Sequence, residues 1–114
     1  MLSFKHLYNV EKAKAVCDMY TDITKTYDGD AGKIWTMTAH FWNNTHNVEV
    51  IQSADGNYKY SVKEGNFECG FDGDQITIFK GEYNGKKCKA ERSLNKFVNV
   101  AMMLYALVKC GKLN

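Results

Sequence analysis

The side chains able to ligate a metal or attack an electrophile are few in this chain: three histidines, His6, His40 and His46, and four cysteines, Cys17, Cys69, Cys88 and Cys110. Zinc needs four converging donors, and a nucleophilic thiolate needs a base beside it. No two cysteines form a CxxC, and no two histidines stand three or four residues apart, the spacing that would set both on one helix face. His40 and His46 flank Trp42-Asn43-Asn44-Thr45 and could meet across a hairpin, with Glu49 or Glu68 as further donors. Two nitrogen donors fall short of a metal centre, so no metal, cofactor or catalytic residue is expected.

Carboxylates invite a second kind of chemistry. Asp28-Gly29-Asp30 and Asp72-Gly73-Asp74 resemble the start of a calcium loop, which needs an oxygen donor at position 5, Gly at 6 and Glu at 12. The first run has Gly32 and Lys33 at positions 5 and 6, and the second has Ile76 and Thr77. Both read as turns instead. Glu49, Glu68 and Asp72 fall on one face of the strand pattern, but Lys59 and Lys63 intersperse them, which describes a solvated mixed-charge surface. No glycine-rich phosphate loop or GxSxG elbow occurs. An enzyme or small-ligand binder using a pocket between sheet and helices, with His40, His46, Tyr58 or Tyr60 as its candidates, is therefore the third-ranked reading.

The elements that position these residues are legible from periodicity. Residues 9 to 26 gather Val10, Ala13, Val16, Cys17, Tyr20, Ile23 and Tyr27 on one helical arc, with Asn9 as N-cap. From residue 33 the period changes to two: Trp35, Met37, Ala39 and Phe41 alternate with Thr36, Thr38, His40 and Trp42. The same alternation assigns Val48 and Val50, Tyr58, Tyr60 and Val62, Phe67, Cys69 and Phe71, Ile76 and Ile78, then Cys88 and Ala90 to one face. Turns at Asp55-Gly56-Asn57, Glu64-Gly65-Asn66, Asp72-Gly73-Asp74 and Asn84-Gly85 separate them, since Gly, Asn and Asp reach the positive φ of tight hairpins. A second helix runs from Ser93 to about Lys109, stopped by Gly111.

The expected fold is therefore α+β: an N-terminal helix, an antiparallel β-meander of five to six strands, and a C-terminal helix, with the helices packed on one face of the sheet. A curled meander wrapping the last helix is the main alternative. The 114 residues suit one domain spanning 1–114. No leader pattern opens the chain, and its longest apolar run, Val100 to Val108, is half the ~20 residues of a membrane span, so no membrane association is expected. Isolated cysteines within core elements suit a reduced, cytoplasmic protein.

Two departures from the pattern carry the functional expectation. Residues 80–96 hold a net charge of +4 through Lys80, Lys86, Lys87, Lys89, Arg92 and Lys96, in a chain of net +2. Ile34, Trp42, Ile51 and Phe79 fall on the nominally open sheet face, and Met102 and Met103 on the back of the last helix. Exposed apolar clusters mark interaction surfaces, and Trp is enriched among binding hot spots. The leading reading is a protein-binding module, an inhibitor or adaptor with a homodimer as one form. It would use Trp42, Ile51, Phe79, Met102 and Met103 as interface, and the lysines would steer an acidic partner. The alternative is nucleic-acid binding or interference through Lys86, Lys87, Lys89, Arg92 and Lys96, for which a single Arg and a pI near 8.3 are unfavourable signs.

Overall fold

The computed structural model describes residues 2–3, 9–41, 44–63, 65–73, 75–83 and 86–113; within these, the side chains of 2–3, 41, 79, 83 and 86–99 lie outside the description. The elements are β1 (Leu2–Ser3), α1 (Val10–Asp18), β2 (Tyr20–Gly29), β3 (Gly32–Phe41), β4 (Asn44–Ser53), β5 (Tyr58–Val62), β6 (Gly65–Asp72), β7 (Gln75–Tyr83), β8 (Lys86–Lys89) and α2 (Ala90–Lys109). The chain is α+β, as expected. The anticipated meander of five to six strands corresponds to β3–β8, and β1 and β2 extend the sheet to the order β1-β7-β6-β5-β4-β3-β2, with β8 also paired to β7.

The largest difference from the sequence reading lies at residues 20–26, expected to continue the first helix up to a turn at 28–32; they belong instead to β2. The helix runs only to Asp18, and the Met19 carbonyl accepts the His40 N–H at 2.8 Å, which starts β2 alongside β3. Thr21, Ile23, Thr24 and Thr26 are β-branched and Tyr20 and Tyr27 aromatic, types that fit a pleated surface and lose side-chain freedom in a helix. The apolar residues of this stretch match a helical arc only by coincidence of spacing. The N-cap is as expected: Asn9 Oδ1 accepts from the Glu11 and Lys12 N–H groups at 2.8 and 3.2 Å.

Alternation divides the sheet into two faces. Trp35, Met37, Ala39, Val48, Val50, Tyr60, Phe67 and Cys69 are all buried on the inner face and pack against Ala101, Leu104, Tyr105 and Leu107 of α2. Each such aliphatic or aromatic side chain contributes roughly 1.5–3 kcal/mol on burial. α2 lies between the sheet and α1, for Ala106 packs with Ala13 and Cys17 on its other side. These small residues let the two helices approach closely. Gly111, at φ 70°, ends α2 with a paired closure: its N–H reaches the Val108 carbonyl and the Lys112 N–H reaches that of Leu107.

The sheet curls around α2. β2 and β5 are separated by two strands, about 14 Å in a flat sheet at ~4.8 Å per strand, yet the rings of Tyr20 and Tyr60 approach edge to face at 6.4 Å between centroids. Single extra residues aid the bend. Pairing steps from Gly70↔Ile78 to Phe71↔Ile76, leaving Thr77 as the inserted residue. Ile76 consequently stays 7 % exposed while Ile78, expected inward, turns out and is 41 % exposed. At the β2–β3 hairpin Gly32 has φ 134°, and a Cβ there would lie 2.0 Å from the Gln52 carbonyl oxygen. Glycine alone fits. No helix among the described residues is long and apolar enough to cross a membrane.

Candidate functional site

The register orders the outer face into rows. One runs Tyr27, Ile34, Ile51, Lys59, Glu68, Lys80 and Lys89 across β2 to β8, each residue paired with the next. Its β2–β4 end is apolar: Tyr27 is 45 % exposed, and Ile34 and Ile51 are half-buried. Its other end is charged, with Glu68 between Lys59 and Lys80 and with Lys80 Nζ 3.2 Å from Glu68 Oε2. That pair lies on the solvent face with Lys80 largely exposed, and is worth little, about 0–1 kcal/mol. The mixed-charge surface expected for Glu49, Glu68 and Lys59 is what the register gives.

The adjoining row passes through Thr24, Thr36, Glu49, Ser61 and Asn66, with Thr38 and Asn47 paired beyond it. Here β2 carries its first inserted residue, between Thr21 and Thr24, and Asp22 holds a φ of 55°. A left-handed backbone at a non-glycine residue is uncommon, and Asp tolerates it better than most. The result is an open trough of about 560 Å³ lined by Asp22, Glu49, Thr36, Thr38, Asn47 and Ser61 among others. It offers two carboxylates, three hydroxyls and an amide to whatever enters, a set that accepts hydrogen bonds more readily than it donates them.

The histidines do not converge. His40 pairs with Thr45 and His46 with Ala39, so the two stand on opposite faces of the β3–β4 hairpin. His40 is exposed and its Nε2 lies 2.9 Å from Thr21 Oγ1. Among the described residues no group of three or more His, Cys, Asp or Glu is arranged to hold a metal ion. Tyr60, a candidate for a ligand pocket, is 2 % exposed and hydrogen-bonds Tyr20 at 2.9 Å. Burial pushes its phenol up to about 12, against the smaller opposite influence of the Tyr20 hydrogen bond. Tyr58 is half-buried beside Phe71, at 5.9 Å between rings, and burial raises its phenol too.

Of the residues singled out as interface, Ile51 stands in the apolar stretch of the outer face. Trp42 lies outside the described residues. The backbone of Phe79 pairs opposite buried Cys69, and its side chain lies outside the description. Met102 and Met103 are half-buried and pack against the core cluster, and Met103 Sδ accepts the Tyr20 hydroxyl at 3.4 Å. Lys86, Lys87 and Lys89 form β8 opposite Tyr83, Glu82 and Lys80, while Arg92 and Lys96 lie in the first half of α2. The side chains of all five lie outside the description.

Tyr27 and Asp22 are the outer-face residues that sequence reasoning missed, because both were assigned to a helix. The available signal was the density of Thr, Ile and Tyr over residues 20–27. No protein-family model, no curated protein and no solved structure matches the chain.

Proposed function

We propose that this chain is a protein-binding module whose recognition surface is the outer face of β2–β5. The observation that supports this most is the juxtaposition of the Tyr27–Ile34–Ile51 row with the trough lined by Asp22 and Glu49. An apolar strip gives a partner area to bury, and adjacent acceptors fix its orientation. Both stand on hydrogen-bonded strands backed by the core, so the surface is held in place before the partner arrives, which lowers the ordering cost of association.

The partner segment suited to this surface carries an apolar or aromatic side chain for the strip and N–H or cationic donors for the carboxylates. The lysine-rich stretch 86–96 would attract acidic surface elsewhere on the same partner. Capture from an extract of the native cell tests the reading, comparing the unaltered protein with Tyr27→Ala and Ile51→Thr; the threonine keeps the β-branched shape a strand favours. A protein partner retained by the first and lost from both variants is the expected result. Equal retention by all three removes the outer face from the account. Retained nucleic acid that washes off steeply with salt would instead point to Lys86, Lys87, Lys89, Arg92 and Lys96.

A further inference from the structure

The C-terminal end of α2 meets α1 around the Ala106 carbonyl. The Ala106 oxygen accepts the Cys110 amide N–H at 2.9 Å, as the last turn of its own helix requires, and also accepts the Cys17 thiol of α1 at 3.4 Å. Cys17 and Cys110 thus converge on one carbonyl, the first through its thiol and the second through its amide. Cys17 is 2 % exposed, whereas Cys110 sits in the turn after α2 and is exposed; both are free thiols. Two thiols, one sheltered and one open to solvent, therefore stand at one crossing of two helices that the chain joins through β2–β8.

We propose that Cys17 and Cys110 form a redox-responsive dithiol that closes to a disulfide fastening the end of α1 to the end of α2. The oxidant is a low-molecular-weight disulfide. Cys110 gives up its proton and its sulfur attacks one sulfur of the oxidant, whose S–S bond breaks as one thiolate leaves and is protonated. Cys17 then loses its proton to solvent, attacks the Cys110 sulfur and expels the second thiolate. Two protein thiols are oxidised and one small disulfide is reduced to two thiols, so protons and electrons balance.

The order of attack follows from access. Burial, with smaller contributions from the Cys110 thiol, pushes Cys17 up to about 12, while the Lys112 ammonium partly opposes this. Cys17 is therefore the resolving thiol and Cys110 the entry point. Cys69, buried in the sheet core, has no such exposed neighbour among the described residues. Closing so long a loop restricts the unfolded chain strongly, so the oxidised form should melt on the order of 10 °C higher.

Treating the folded protein with oxidised glutathione, then trapping, unfolding and digesting it, tests the assignment. The expected result is a Cys17–Cys110 linked peptide pair, a fall from four alkylatable thiols to two, and a raised melting temperature that a reductant reverses. Cys110→Ser, a change at an exposed turn, should abolish link and shift together while leaving the reduced melting temperature in place. Stable glutathione on Cys110 with Cys17 still reduced would overturn the proposal, as would a link that excludes either residue. Cys17→Ala is the second variant: it should leave Cys110 carrying glutathione and unable to resolve it, and any intramolecular link that persists in it counts against the assignment.

Discussion

The hydroxyls of Tyr20 and Tyr60, 40 residues apart in sequence, meet at 2.9 Å inside the core. Tyr20 opens β2 at one edge of the sheet and Tyr60 lies in β5, so the contact spans the concave face and records its curvature. It also solves a polar problem, because a buried phenol without a partner costs about 1–3 kcal/mol. Each hydroxyl partners the other, and Met103 Sδ adds a weak acceptor for Tyr20.

A double-mutant cycle should expose this coupling. Tyr20→Phe is expected to destabilise by about 1–2 kcal/mol, since it leaves the buried Tyr60 hydroxyl without the Tyr20 oxygen, and Tyr60→Phe by less, because Tyr20 keeps Met103 Sδ as acceptor. The double variant should cost less than the two together by about 1 kcal/mol, because nothing remains unpaired. Denaturant unfolding of the four proteins measures it, and strict additivity would mean that the hydroxyls act independently.

Stability should fall on the alkaline side. Cys17 and Cys69 are raised from an ordinary 9.0 to about 12, Tyr60 from 10.0 to about 12, and Tyr20 upward, in every case chiefly by burial. All four are neutral when protonated, and their folded-state values lie above the unfolded ones, so the folded state holds these protons more tightly. Their contribution is fully present below pH 9 and is lost as pH rises through the window from about 9 to 12. Melting temperatures across that range should decline, and the tyrosinate absorbance contributed by Tyr20 and Tyr60, read as the difference from the Tyr20→Phe/Tyr60→Phe double variant, should rise only as the protein unfolds. That difference appearing while the fold persists would show these two phenols to be accessible.

Glycine positions give a local test of the hairpins. Gly32→Ala combines a left-handed φ with a collision against the Gln52 carbonyl and should cost about 2 kcal/mol or more. Gly56 and Gly73 also hold positive φ, at 91° and 60°, but a Cβ at either meets nothing within 4 Å. Alanine at those two should cost about 1 kcal/mol. Thermal melts that rank Gly32 no worse than the others would contradict the close approach of β3 and β4 at that point.

The parts of the fold written most plainly in the sequence were those where one signal acted alone. Asn9 announced the start of α1, Gly111 the end of α2, and the strict alternation of Trp35, Met37 and Ala39 the inner face. Residues 20–27 misled because their apolar spacing fits a helix while their β-branched and aromatic types fit a strand, and pairing with β3 decides between them. Ile78 misled because one inserted residue, Thr77, reverses the faces of everything beyond it, and a bulge leaves no mark that alternation can register. The candidate surface was legible to the same degree. Ile51, Thr36, Thr38 and Lys59 could be placed on the outer face by alternation, whereas Tyr27 and Asp22 depended on the strand that was read as helix. The meeting of Cys17 and Cys110 at the Ala106 carbonyl depends on how α1 crosses α2, which no local pattern encodes.

Surface variants should separate recognition from stability. Tyr27→Ala removes an aromatic ring that is 45 % exposed, so the loss of stability should stay within about 0.5 kcal/mol. Loss of partner retention without loss of fold is the expected signature, read by paired melting and binding measurements. A large drop in melting temperature would recast Tyr27 as a structural residue.

The most direct measurement places a photoreactive benzoylphenylalanine at Tyr27 in one sample and at Val10, which is 72 % exposed on α1, in another. Both report from apolar, accessible positions, but only the first stands on the proposed surface. Irradiation in the native cell should yield a discrete covalent adduct with one partner from position 27 and none from position 10. Adducts from position 10 alone, or equal labelling from both, would contradict recognition by the outer face of β2–β5.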